Sequence, residues 1–285
     1  AMAQYGLRGR GLKRVLDLHN AMYLVSERLA QNQTNPLMRL IAQREARALA
    51  KYEAELCAKF DRVVFVTAED RSLIEQQIDR FGVKVDRAQF ATIPICVDPT
   101  DKRVVAPVER PFRVTALGVM FWPPNAEGVA WFAEEIWPRV QAAQPEAVLT
   151  VVGKNPPDYL ARLNGQNHIE VTGFVPDVNR ILAETAAFIV PLRAGGGMRV
   201  KILDTWCWGL PIVSTSIGAE GIEIRDGENI LIADTPADFG VAVSRVLSDP
   251  QLSECLRRNG RQWVEDRYDW LKVYRAWDDV YANLL

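Results

Sequence analysis

Histidine is nearly missing from this chain of 285 residues, which carries imidazoles only at His19 and His168. Its four cysteines, Cys57, Cys96, Cys207 and Cys255, are scattered and form no C-x-x-C pair. Together these scarcities argue against a zinc centre or a disulfide framework, and they lead us to expect a reducing cytoplasm. No apolar run approaches the ~18 residues of a membrane span, and no signal-peptide core opens the sequence. Positive charge is not in excess either: 34 Lys and Arg stand against 36 Asp and Glu, a net charge of −2. A partner of the nucleic-acid class is therefore not expected. The one basic cluster, Arg8, Arg10, Lys13 and Arg14, reads as a solvated lead-in to the first strand. Internal repeats and low-complexity tracts are also lacking.

What the chain does have is a glycine-rich block. An apolar strand, Ala187 to Leu192, runs into Gly195-Gly196-Gly197, and an apolar-periodic segment follows to Trp208. Glycine lets backbone come close to a ligand, and a helix N-terminus offers free N–H groups to an anion. Arg199 and Lys201 then place two cations in the first turn, where helices normally prefer acids. Such a pair makes electrostatic sense if a dianion binds between them. The block thus points to a phosphate or diphosphate site.

From residue 111 onward, strand and helix patterns alternate steadily. Strands are expected at 112–117, 147–152, 168–172, 186–192, 211–214 and 230–233, with helices between them. Thr235-Pro236 and Asp249-Pro250 open the last two long helices, 236–247 and 251–268. The pattern predicts a parallel sheet covered on both faces, with ligands at the carboxyl ends of its strands. Loops 118–125, 153–157, 173–177, 195–199 and 216–221 all fall at such ends and are expected to converge. The first hundred residues are also α/β, with strands at 14–18, 62–66 and 89–93 and helices at 37–58 and 68–81. Residues 97–111 read as an interdomain linker. The expected division is 1–105, a partial N-terminal acceptor-side domain; 106–267, a nucleotide-binding domain; and 268–285, a C-terminal helix returning to the first domain. Ala1-Met2 reads as a vector remnant.

Gly118-Val119-Met120 with Trp122-Pro123-Pro124-Asn125, Val151-Val152-Gly153, and Val171-Thr172-Gly173-Phe174-Val175-Pro176-Asp177 occur in a fixed order. The triple-glycine block, Gly209-Leu210-Pro211-Ile212-Val213-Ser214-Thr215, Gly218-Ala219-Glu220-Gly221 and Asp226-Gly227-Glu228-Asn229 continue it. The N-terminal part adds Asp17-Leu18-His19, Glu53, Phe60-Asp61-Arg62-Val63-Val64 and Thr67-Ala68-Glu69-Asp70. In this order the segments resemble the retaining glycosyltransferases of family 4, which have the GT-B architecture of two Rossmann-type domains. The resemblance covers nearly the whole chain and implies an N-terminal domain that is incomplete, without its first glycine-rich loop and most acceptor-binding elements.

The resemblance implies a hexosyltransferase-type enzyme that moves a sugar from a nucleoside diphosphate sugar to a carbohydrate or lipid-linked acceptor, with retention. Departure of the leaving group loads charge onto the β-phosphate, so fixed cations there favour the transition state. Arg199 and Lys201 are the candidates, with the N–H groups of Gly195, Gly196 and Gly197, and Gly118 approaching the diphosphate from the other side. Asp204 stands where the family has a ribose-binding glutamate. It lies three residues from Lys201, hence on one helix face. Gly153, Phe174 and Val175 belong to the loops that recognise the base through backbone. His19 stands where the family often has a histidine contacting the donor sugar, whereas His168 reads as structural. Glu220 is either a ribose or base contact or a turn-stabilising acid. No cofactor and no metal is expected, since no Asp-x-Asp pair falls in a suitable loop. A peripheral contact with the inner membrane face through the absent N-terminal part is also an expectation.

Two departures bear on activity. The first acid of the family's glutamate pair is Gly196 here and the second is Asp204, which leaves sugar identity open. The turn before the linker reads Ile95-Cys96-Val97-Asp98. A non-catalytic nucleotide or sugar-nucleotide-binding module, an inactive fragment, and a GT-B enzyme that isomerises sugar nucleotides are the alternatives. A nicotinamide dehydrogenase is disfavoured because no G-x-G-x-x-G follows strand 112–117.

Overall fold

Two parallel sheets organise the computed structural model, which describes residues 11–31, 35–106, 112–282 and 284. Arg8, Arg10, Ala1 and Met2 lie outside the described residues. The first sheet has the order β1-β2-β3, from Val15–Leu18, Arg62–Phe65 and Phe90–Thr92. Three helices pack on one of its faces: α1 (Met22–Gln31), α2 (Pro36–Cys57) and α3 (Ala68–Phe81). Strand alternation sorts the residues: Leu16, Val63, Phe65 and Phe90 face these helices. Val15, Val64 and Ala91 face the other way, where Val273, Trp277 and Val280 from the C-terminal segment cover them.

Local chemistry sets most helix limits. Asn35 accepts from the N–H groups of Leu37 and Met38 at 3.0 and 3.3 Å, with Pro36 at the first helical position. Thr67 caps α3, which ends at Gly82 with φ +64°, a conformation that suits glycine. Helix α1 is different, because distant carboxylates hold its N-terminus. Glu53 accepts from Met22 and Tyr23 N–H at 2.9 and 3.2 Å, and Asp70 from Ala21 N–H at 3.1 Å. Such donors have no partner within their own helix, so α1 is fastened by α2 and α3.

The second sheet has six strands in the order β6-β5-β4-β7-β8-β9. They are β4 (Arg113–Leu117), β5 (Val148–Val152), β6 (Ile169–Gly173), β7 (Thr185–Val190), β8 (Ile212–Ser214) and β9 (Leu231–Ile232). Strands 4 and 7 are adjacent, so the topology switches direction there, and ligands favour such a point. Helix α4 (Pro123–Trp131) continues through a π-helical turn, Phe132–Ile136, into α5 (Trp137–Ala143). The sequence expectation began this helix at Ala126; instead Pro123 and Pro124 form its first turn, where proline loses no intrahelical bond. Helices α6 (Val200–Cys207), α7 (Pro236–Ser248) and α8 (Pro250–Arg267) follow, and α9 (Arg275–Ala282) ends the fold.

Trp131, Trp137, Trp206 and Trp208 are buried in the core, whereas Trp263, which the same helical spacing would also place there, is half-buried. Two of the buried indole N–H groups find partners, Trp137 donating to Asn167 O at 2.8 Å and Trp206 to Asn229 O at 2.9 Å, whereas that of Trp208 has none among the described residues. The expected linker is not free over its first part. Val97 N–H donates to Tyr268 O and Val105 N–H to Trp208 O, both at 2.9 Å, and Arg261 donates to Pro99 O at 2.9 Å. Residues 97–105 therefore lie pinned along the second domain; residues 107–111 are outside the described set.

Candidate donor site between the two sheets

The carboxyl ends of both sheets meet at the glycine block. Gly197 has φ +71°, and a Cβ there would stand 2.3 Å from His19 O and 2.8 Å from Asn20 Cβ. At Gly196 a Cβ would meet Val25 Cγ2 at 3.2 Å, and at Gly221 it would meet Thr67 Cγ2 at 2.6 Å. These glycines admit backbone and side chains of the first domain, a close approach that the sequence attributed to a ligand. Gly195 serves a third need, because its missing Cβ leaves room for the Arg199 guanidinium.

Beside this contact lies a cavity of about 330 Å³ whose wall includes Asn20, Val25, Gly118, Asn125, Gly195, Gly196, Arg199 and Lys201. Lys201 Nζ donates to Asn125 Oδ1 at 2.9 Å and crowds Gly118, where a Cβ would lie 2.8 Å from it. Part of the lysine surface stays open while its ammonium is densely surrounded by protein. Burial, and then the Arg199 charge, push that ammonium from the ordinary lysine range down to about 8. Arg199 is buried and turns back on the loop, donating to Gly196 O, to Gly197 O at 2.7 Å, and to Ile217 O at 3.4 Å. Its Nε is buried with no hydrogen-bond partner among the described residues. Burial lowers its pKa as well. Neither Lys201 nor Arg199 forms a carboxylate ion pair among the described residues. Two close, buried cations without a paired acid are costly, and an anion in the cavity would relieve both.

Other expected residues fall around this centre. Gly153 and Gly118 build one loop cluster: a Cβ at Gly153 would meet Gly118 O at 1.8 Å, and Gly118 N–H donates to Val152 O at 3.0 Å. Phe174 is exposed and Val175 half-buried just beyond Gly173, at the next strand end, and neither lines the cavity. The Asp204 carboxylate is 3.5 Å from Lys102 Nζ on the pinned linker, also outside that wall. Desolvation raises its pKa, and Lys102 opposes the rise. His19 contributes its carbonyl to the glycine block, whereas its imidazole Nε2 lies 3.0 Å from Asp17 Oδ2. That ring lines a second cavity, of about 490 Å³, with Cys96, Tyr274, Trp277 and Tyr281. His168, as read from sequence, sits at the start of β6 away from both cavities; its backbone φ is +54°.

Sequence reasoning did not single out Asn125 or Arg28 as site residues, and left Glu220 undecided. Arg28 forms a bidentate pair with Glu220, at 2.5 and 2.7 Å, and donates to Gly195 O at 2.5 Å. Asn125 had a signal, since it follows the double proline in a strand-end loop. Arg28 had none, because its partner is 192 residues away.

Two parallel-sheet α/β domains with their strand ends apposed across a cation-lined cavity define a class: this is the GT-B fold of glycosyltransferases. Residues 111–249, which hold the six-stranded sheet, match the family model described as glycosyl transferases group 1. A Klebsiella pneumoniae relative, an uncharacterised 44.6 kDa protein in the cps region, is 26% identical over 188 residues. That match covers 60% of this chain and 48% of the relative, so the chain spans about half the relative's length. Sucrose-phosphate synthase from Thermosynechococcus elongatus superposes with a TM-score of 0.73 at 17% identity, covering 99% of this chain and 70% of that one. Anabaena Alr3699/HepE, solved with UDP and glucose, superposes at 0.67 and 16% identity, covering 94% and 71%.

Proposed function

We propose that this chain carries the donor site of a retaining, hexosyltransferase-type glycosyltransferase that uses a nucleoside diphosphate sugar. One observation carries the reading. Lys201, next to an Arg199 whose Nε is unpartnered, opens at the N-terminus of α6 into a cavity rimmed by glycine backbone. A diphosphate fits this combination, since it brings the missing negative charge and accepts from N–H groups at once. When the glycosidic C–O bond breaks, its electron pair goes to the diphosphate, and Lys201 and the helix end stabilise that growing charge. The same cations take the place a metal would fill, so we propose metal-independent transfer.

The group 1 match and the UDP-bound fold relative support the donor class. The relative from a cps region supports a setting in polysaccharide biosynthesis. Among the described residues no helix is long and apolar enough to cross a membrane. We propose cytoplasmic action, with peripheral association at the inner face of the membrane. The cavity holding His19, Tyr274, Trp277 and Tyr281 is the proposed place for a carbohydrate or lipid-linked acceptor. Aromatic faces stack on sugar rings there, and the Asp17–His19 pair meets hydroxyls.

The test is catalytic. The chain is incubated with UDP-, GDP-, ADP-, dTDP- and CDP-sugars, with and without EDTA, and free nucleotide and the anomeric configuration of released or transferred sugar are measured. Release with retention, unchanged by EDTA, is expected. Binding without any release or transfer would instead identify a non-catalytic sugar-nucleotide module. A 2-epimer as product would identify an isomerase.

A further inference from the structure

Helix α1 reaches the donor cavity from the other domain. Val25 lies in the cavity wall against Gly196, and Arg28, one turn on, crosses to Glu220 and to the Gly195 carbonyl. The side chains of Arg28 and Glu220 are only 21% and 27% exposed, so solvent competes little for the pair. The geometry is bidentate, which fixes direction as well as distance.

Gly195 is held on two sides. Arg28 takes its carbonyl, while Arg199 fills the space below it and binds the carbonyls of Gly196 and Gly197. Once their carbonyls are held back by guanidinium groups, the loop peptides have little freedom to rotate. Glu220 completes the arrangement by neutralising Arg28 and lying in the field of Arg199. Glu220 is itself anchored, since its N–H donates to Ile217 O and Gly221 behind it packs on Thr67.

We propose that Arg28 is a positioning residue for the glycine loop, acting with Glu220 to hold Gly195–Gly197 in the conformation that receives a diphosphate. The order of the loop at Gly195 thus depends in part on the first domain being docked on it. A loop whose order depends on the opposite domain couples donor binding to the relative position of the domains. This inference rests on the donor-site reading for its ligand, though not for its effect on the loop.

Hydrogen exchange of residues 193–199 and nucleotide affinity are measured together in Arg28→Gln, Arg28→Lys, Glu220→Gln and the double Gln variant. Exchange of the loop is expected to rise about tenfold in either Gln variant while β4 and β5 keep their protection. The double variant should be no worse than the worse single, because the two groups act as one. Arg28→Lys should restore part of the protection, since an ammonium still reaches Glu220 but not in bidentate form. Binding of whichever of UDP, GDP, ADP, dTDP or CDP the native chain accepts should weaken in parallel with loop exchange. A lower Tm with loop exchange within about twofold of native would overturn the proposal, leaving the pair as a fastening of the domains. If the native chain binds none of the five nucleotides yet Arg28→Gln still loosens the loop, positioning stands and the donor reading falls. If nucleotide binds and both loop exchange and affinity ignore Arg28, positioning falls and the donor reading stands.

Discussion

Raising the pH should weaken nucleotide binding through Lys201 before any other site residue responds. The free chain holds this ammonium at about 8, because burial and the Arg199 charge disfavour the proton. A bound diphosphate reverses the Arg199 penalty and favours the charged lysine. Above pH 8, binding must therefore be accompanied by proton uptake. With a pKa near 8, roughly one tenth of the lysine is protonated at pH 9, so affinity should fall about tenfold from pH 7, or ~1.4 kcal/mol. Stability of the free chain moves in the opposite direction. Its folded lysine binds fewer protons than the unfolded one between about 8 and the ordinary value of 10.5. The Lys201 contribution to stability therefore rises with pH through that window. Calorimetry in two buffers of different ionisation enthalpy, from pH 7 to 9, measures both affinity and proton uptake. Lys201→Arg, which stays charged, should show a flat profile. Equal affinity at pH 7 and 9 in the native chain, or the same slope in Lys201→Arg, would refute the reasoning.

Other outcomes follow from single contacts. Gly197→Ala combines a positive φ with a clash on His19 O and should cost ~1–3 kcal/mol or more; Gly165→Ala, also at positive φ but in open space, should cost less in the same melt. Glu53→Ala strips two acceptors from the start of α1 and should cost about 1–3 kcal/mol, with faster exchange of residues 22–25. Burial raises the Glu53 pKa, so the folded chain binds more protons there. Its contribution is full below the unfolded value and is lost as pH rises through the folded one, so the native chain should gain on Glu53→Gln as pH falls from neutral towards the ordinary glutamate value. Asp204→Ala should weaken nucleoside diphosphate more than inorganic pyrophosphate; equal losses would sink a ribose contact. His19→Ala should lower turnover and spare nucleotide affinity, and equal losses of both would contradict its placement on the sugar side.

Signals within a few residues were legible in the sequence, and signals across the chain were not. Thr67, Thr235-Pro236 and Asp249-Pro250 open helices through their own side chains, and those helices lie where expected. Helix α1 escaped because no local cap starts it; Glu53 and Asp70 do so from 30 to 49 residues away. The triple glycine was legible as a place of close approach, though the sequence assigned that approach to a ligand. Sequence could not tell that Gly196 and Gly197 face Val25, His19 and Asn20 of the other domain. Lys201 stood out in the sequence as a candidate phosphate ligand from its place after the glycines, and it lines the cavity, whereas the contact of Arg28 with Gly195 and Glu220 left no local trace. The engagement of Asp204 with Lys102 was equally hidden, since it depends on residues 97–105 lying along the second domain.

The central claim is that the cavity at Lys201 binds a nucleoside diphosphate, and thermal shifts test it most directly. Native chain and Lys201→Ala are melted with UDP, GDP, ADP, dTDP and CDP at neutral pH. A ligand at 100 times its Kd adds about 2.7 kcal/mol to the native state. The account predicts a stabilisation selective for one or two nucleotides and absent in Lys201→Ala. No shift with any of the five in a folded native sample, or an equal shift in the variant, would contradict it.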